Sequence, residues 1–349
     1  MANELFVALL GGLCALALGW GFTILPRERW QILASLPLIK DPQGRWQGLN
    51  ITWYGVISAS SLAAAAGLVV VMLGAVGASL TAVAAVMLPL ISLSYPAARL
   101  VARVVEGKAY TFTVAGAFFV GLLAAPWLVL LVRQALGPAA AGLPPVAACA
   151  AVAVAYAFGE GLGRLACISF GCCYGKPLEE SPAWMRRLFG GRGFVFRGAT
   201  KKASYEGRLE GRRLVPIQAM TAVLYVACGL VCLRLFLAGA FGWALMAAIA
   251  VTQGWRALSE VWRADYRGRR RMSAYQWMAL AAIAYAAAVA FVLPPAAAPA
   301  PRVGQGLALL WSPGVLLVLQ GLWLGALLYT GRSRVTGSLI SFHVVRERI

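Results

Sequence analysis

The sequence predicts an all-α, polytopic membrane protein of about nine transmembrane helices. Two observations carry that fold class. Only 12% of the 349 residues are charged, against 61% hydrophobic, and a soluble domain carries about twice that charged share. The apolar residues also fall into long runs, several exceeding the roughly 20 residues a helix needs to cross a bilayer. None shows the period-two alternation of a membrane barrel strand.

The charge balance narrows the partners. The net charge is +19, and the basic residues sit in loops between apolar spans. That placement favours anionic lipid headgroups over nucleic acid. The single histidine, His343, lies near the C-terminal end. This argues against a histidine-based metal site or a Ser-His-Asp triad within the membrane. The seven cysteines fall mostly in apolar spans and form no disulfide framework. No cofactor is expected.

Along the chain, residues 5–25 read as a first span. Glu4 rather than a basic segment precedes it, which makes a poor signal peptide. Residues 26–49 read as an interfacial loop, with Trp30 and Trp46 suited to the membrane boundary. A second span covers about 50–74 and a third about 76–93. A basic segment follows at 95–108, with Arg99 and Arg103 at helical i,i+4 spacing. The fourth and fifth spans cover about 111–132 and 145–163. The chain then turns polar from 174 to 214, with ten Lys or Arg residues against four acids. That is long for a connector and predicts a small basic extramembrane cap. Residues 189–196, FGGRGFVF, suggest a hairpin-like piece within it. Pro216 suits the start of a sixth span, and spans at about 242–262, 274–293 and 307–329 follow. A Pro/Ala linker precedes the last span and a basic tail follows it. Trp53, Tyr54, Trp255, Trp262 and Tyr266 stand at span ends as interface anchors.

The chemistry concentrates at 158–177, FGEGLGRLACISFGCCYGKP. Glu160 and Arg164 lie four apart on one helical face, and so do Arg256 and Glu260, with Arg263 a turn further. Charges near a bilayer cost several kcal/mol unless paired or wetted, so each group is either functional or a self-neutralising pair. Arginine suits a phosphodiester, because its planar fork donates two hydrogen bonds and stays charged when desolvated. A carboxylate beside it fixes its rotamer or acts as a base. Tyr54, at the start of a span, can hydrogen-bond a phosphate or a reacting oxygen. Cys167, Cys172 and Cys173 read as a thiolate nucleophile near Arg164 or as small packing residues. Adjacent Cys172 and Cys173 are not expected to face one metal, and no metal is expected.

Four pieces, in order, resemble the prolipoprotein diacylglyceryl transferase superfamily. Trp53-Tyr54-Gly55 resembles its W-Y-G at the start of a core helix. GRLACISFGCCYG, from Gly163 to Gly175, resembles its signature, roughly G-R-x-G-N-F-x-N-x-E-x-x-G. Val215-Pro216-Ile217-Gln218 resembles H-P-x-Q. Arg256, Glu260 and Arg263 follow R-x-x-x-E-x-x-R, and 272–277 resembles the S-M-x-Q element. The signature asparagine is Cys167 here and its acid is Cys172. Val215 replaces the histidine before proline, and YTFTVAG at 110–116 replaces an H-G-G stretch.

The resemblance implies a seven-helix transferase-like core over residues 50–293, flanked by an extra helix and loop at 1–49 and a linker, helix and tail at 294–349. It implies a bacterial inner (cytoplasmic) membrane enzyme. Such an enzyme moves the diacylglyceryl group of phosphatidylglycerol to an acceptor, a prolipoprotein cysteine or another envelope molecule, and releases glycerol phosphate. Tyr54, Arg164, Arg256, Glu260, Cys167 and Cys172 are the catalytic candidates it implies. Glu160, Gly175, Arg263, Arg99, Arg103 and Gln218 are the substrate-binding ones. The family works on the periplasmic face, whereas the basic loops would favour the cytoplasmic face under the positive-inside rule. A non-catalytic anionic-lipid-binding or lipid-transport protein is the alternative.

Overall fold

A computed structural model describes residues 1–107, 113–140, 142–265, 272–293 and 300–349. Tyr266, the YTF part (110–112) of 110–116, the end of the basic segment at Lys108 and most of the Pro/Ala linker lie outside the described residues. The long helices are α1 (Ala2–Ile24), α2 (Trp53–Ala75), α3 (Leu80–Glu106), α4 (Val114–Leu136) and α5 (Pro145–Phe170). Short α6 (Ala183–Phe189) and α7 (Lys202–Tyr205) belong to the cap. Then come α8 (Ile217–Leu237), α9 (Phe241–Ser259), α10 (Ala274–Val292), α11 (Val303–Leu310) and α12 (Pro313–Thr330). Among the described residues, eight helices are long and apolar enough to cross a membrane: α1 to α5, α8, α10 and α12. The chain is a multi-pass membrane protein by that criterion.

The expected span at 242–262 is α9, which falls outside that set. It packs against α5, α8 and α10 and carries buried Thr252, Gln253 and Arg256. Its neighbours shelter a polarity that lipid would not tolerate. The third span and the basic segment after it form one helix, α3, with Pro89 and Pro96 inside it. The last span is broken between α11 and α12, where Ser312-Pro313 restarts the helix.

α5 is the most buried of the eight spans and contacts α1, α2, α4, α8 and α9. Its first half is nearly all Ala and Val, and small residues let neighbouring helices approach closely. The terminal helices are joined tightly to this bundle. A Cβ on Gly55 would stand 2.1 Å from the Gly331 Cα, so α2 meets the end of α12 at backbone distance. Thr52 Oγ1 and Thr52 N both donate to the Gly331 carbonyl at 2.9 Å.

An all-α chain is too simple a description. The interfacial loop and the tail contain strands β1 (Ile32–Lys40), β2 (Trp46–Thr52) and β5 (Arg332–Ile340), which form an antiparallel sheet in the order β1-β2-β5. Asp41-Pro42-Gln43-Gly44 turns the chain, with Gly44 at φ +83° and Arg45 N donating to Asp41 Oδ1 at 2.7 Å. The cap differs too. Phe194–Val195 (β3) pairs with Arg213–Leu214 (β4), so the FGGRGFVF segment is half of a long-range pair instead of a local hairpin.

Lys201 fastens the cap to the bundle. It is fully buried, and its Nζ donates to the Leu25 carbonyl at 3.3 Å and the Ser169 carbonyl at 2.5 Å. Both carbonyls sit at helix C-termini, where a positive charge meets the negative end of the helix dipole. Burial lowers its ammonium to about 8. Below that value both folded and unfolded chains hold the proton. Between about 8 and 10.5 the unfolded chain holds it and the folded chain does not, so stability rises with pH there. Replacing Lys201 with Met strands both carbonyls. We expect Lys201→Met to cost about 2–4 kcal/mol and to lose that rise, both read from thermal melts in detergent at pH 8 and pH 10.

Candidate functional site

Helices α2, α3, α4 and α5 line one cavity of about 890 Å³, with further residues from α9, α10 and α12. One wall is apolar, with Leu62, Val69, Met87, Leu90, Phe118 and Leu122 among its residues. The other part is polar, with Tyr54, Glu160, Arg164, Arg256 and the three cysteines. Arg99, Lys202, Arg332 and Arg334 add further positive charge. Arg99 rests over the Tyr329 ring at 4.3 Å, a cation–π contact.

The polar centre is built on α5. Glu160 and Arg164 are both buried, at 7% and 8% exposure. Arg164 Nη2 donates to Glu160 Oε1, as their i,i+4 spacing predicts. Arg256, also 8% exposed, approaches the same oxygen from α9, at 3.8 Å. Arg256 Nη1 also donates to Tyr156 Oη at 3.3 Å. Tyr156 is held by stacking on Phe118, with ring centroids 3.8 Å apart. One carboxylate therefore serves two guanidiniums, which leaves a formal surplus of one positive charge. The Nε of Arg164 and the Nε of Arg256 are buried and have no hydrogen-bond partner among the described residues. A buried charged donor left unsatisfied costs several kcal/mol. Buried guanidinium donors left open in this way are the kind of group that an anion with several acceptor oxygens can satisfy.

The second expected cluster divides. α9 ends at Ser259 and Glu260 opens a 3-10 turn, which takes Glu260 off the helical face of Arg256. Glu260 instead pairs with Arg263 at 3.6 Å, and Ser273 Oγ donates to it at 3.4 Å. Arg263 makes a fork to Asp265, with Nε–Oδ1 at 2.8 Å and Nη2–Oδ2 at 2.7 Å. Burial raises the Asp265 carboxyl to about 6, against the pull of Arg263. Neither Glu260 nor Arg263 lines the cavity.

Other candidates are structural in their placement. Gly175 bridges to Arg263 in antiparallel fashion, and a Cβ there would meet the Val215 carbonyl oxygen at 2.4 Å. Gln218 Nε2 donates to the Cys172 carbonyl at 2.8 Å and so holds the cysteine turn. Arg103 is exposed and is not part of the cavity wall. The 272–277 element is a capping box: Ser273 Oγ accepts from Gln276 N, and Gln276 Oε1 accepts from Ser273 N. Tyr54 does line the cavity, its ring edge-on to Phe170 at 5.8 Å.

The cysteines depart furthest from expectation. Gly171 ends α5 in the left-handed conformation, φ +71°, and Cys172 N donates back to the Cys167 carbonyl at 3.0 Å. This is a Schellman closure. It folds residues 172 and 173 back over the last turn of α5. The sulfurs of Cys167, Cys172 and Cys173 then lie within 4.8 Å of one another, although neighbouring Cys172 and Cys173 were not expected to share one point. Hydrogen bonds from the other two thiols, with help from Arg263 and Arg164, hold the Cys173 thiol well below its ordinary range despite burial.

Sequence reasoning missed Tyr156, Lys202, Arg332 and Arg334 as cavity residues. Tyr156 had a usable signal, because it lies four residues before Glu160 on the same helical face. No protein-family model, curated protein or solved structure matches the chain. Removing the shared carboxylate leaves two buried guanidiniums facing each other. We expect Glu160→Gln to lower stability by about 3–5 kcal/mol, with part of the loss restored by added anionic phospholipid but not by a zwitterionic one, as read from melting temperatures in detergent.

Proposed function

We propose that the protein is a transferase of the bacterial inner membrane that takes phosphatidylglycerol, or a similar anionic phospholipid, as donor. It moves the diacylglyceryl or a related lipid-derived group to an envelope acceptor such as a prolipoprotein cysteine. The observation that carries this reading is the pair of buried arginines, Arg164 and Arg256, sharing Glu160 in a cavity whose other wall is apolar. The headgroup phosphate sits against the arginines, and the acyl chains run along Leu62, Val69, Met87 and Phe118. About 890 Å³ is at the upper end of ordinary ligand pockets, enough for the glycerol-phosphate region and the first part of the chains.

The transfer makes a bond from the acceptor's sulfur or oxygen to the terminal diacylglyceryl carbon and breaks that carbon's bond to the phosphate oxygen. The acceptor loses its proton, and glycerol phosphate leaves with one more negative charge than the diester carried. Arg164 and Arg256 are placed to stabilise that added charge, which is the interaction that accelerates the step. Among the candidate bases, Glu160 and the thiols of Cys167 and Cys172 line the cavity, while Glu260 does not.

That last point favours a second reading, a protein that binds or moves an anionic lipid without chemistry, because Glu260 is committed to Arg263. Phosphatidylglycerol labelled in its headgroup separates the two. In proteoliposomes supplied with envelope extract, the transferase releases water-soluble labelled glycerol phosphate. Arg164→Ala and Arg256→Ala each lower that release by about 10²–10³-fold at normal expression. Intact labelled lipid retained by the wild-type protein would leave only the binding reading.

A further inference from the structure

We propose that Cys167, Cys172 and Cys173 form a binding site for one thiophilic d¹⁰ metal ion, zinc or cuprous copper. This does not rest on the lipid reading. The three sulfurs lie within 4.8 Å of one another. A metal–sulfur bond of about 2.3 Å sets ligand sulfurs roughly 3.8–4.0 Å apart, so the longest separation closes by under about 1 Å, within the reach of χ1 adjustment. Cys172 and Cys173 are partly exposed and all three cysteines line the cavity, which gives an ion a route in.

The backbone supports the same reading. Cys173 adopts φ +55°, a left-handed conformation that costs a non-glycine residue about 1–2 kcal/mol. That strain comes at the step which brings two adjacent side chains to the sulfur of Cys167. Simple packing of small thiols needs no such distortion. A disulfide between any two of them leaves the third unused, while a metal uses all three.

Charge also fits. Three thiolates around Zn²⁺ carry a net charge of −1, and around Cu⁺ a net charge of −2. Arg164, one turn before Cys167 on α5, and Lys202 from the cap line the same cavity, so an anionic metal–thiolate cluster has cations beside it. Thiolates without histidine select soft ions over magnesium, calcium or manganese. Three protein ligands would leave the ion open to a further ligand, and the cavity that all three cysteines line has room for one.

The test uses the full chain, purified reduced in detergent, stripped by chelation, and titrated with Zn²⁺ and separately with Cu⁺ against a chromophoric competitor. One ion per chain of either metal is expected, with Kd below about 1 μM. Cys167, Cys172 and Cys173 should be protected from alkylation by the ion, as mapped by mass spectrometry of the wild-type protein. Cys167→Ser, Cys172→Ser and Cys173→Ser should each weaken binding at least about tenfold, and Cys228→Ser should leave it unchanged. Retention of neither ion at micromolar concentration overturns the proposal. So does binding that protects other cysteines or is unchanged in the three variants. The wild-type titration and protection map decide the matter even if a variant fails to fold.

Discussion

The structure turns on a single carboxylate. Glu160 stands inside the most buried helix of the bundle and meets guanidiniums from its own helix and from α9. Neither arginine could remain in that setting without it, because an unpaired buried charge costs several kcal/mol. Yet one carboxylate does not saturate two guanidiniums. A surplus positive charge and two buried Nε groups without a hydrogen-bond partner among the described residues remain, and the proposed anion binding rests on them. α9 joins the bundle both through this ion pair and through its own buried apolar residues, Ala244, Leu245, Ala248 and Ile249.

Much of this was legible in the sequence. The long apolar runs gave the helical, multi-pass fold, and Glu160 and Arg164 at i,i+4 spacing gave half of the charged centre. The partner from α9 could be guessed only as a second charged cluster. Its assumed internal pairing failed because the helix stops at Ser259, and a helical face cannot be extended past a helix end. The sheet had a readable signal in Asp41-Pro42-Gln43-Gly44 between two strand-like runs, but its third strand comes from almost 300 residues away in the chain. Hydropathy marked that strand as a polar tail. The sulfur cluster was illegible for a different reason: the Schellman closure at Gly171 reverses the chain direction, which spacing counted along a helix does not capture.

The elements outside the helices complete the cavity. β5 follows α12 directly and brings Arg332 and Arg334 to the cavity. The cap brings Lys202, next to the Lys201 that fastens it to the ends of α1 and α5. The basic residues are therefore not merely scattered in loops. Several converge on the cavity that also holds the arginines of α5 and α9, and the same cavity carries the three thiols. The buried arginine centre and the three thiols line one cavity, and each follows from a different property of the end of α5: its charged face and its C-terminal turn.

Native mass spectrometry of the protein released from mixed-lipid nanodiscs addresses the central claim most directly. Equal amounts of phosphatidylglycerol and phosphatidylcholine would be offered to the wild-type chain and to Arg164→Ala and Arg256→Ala. The arginine-centred cavity predicts one tightly held phosphatidylglycerol on the wild-type protein and at least about a tenfold loss of it in either variant. Equal retention of the two lipids, or phosphatidylglycerol binding unchanged by both substitutions, would contradict it.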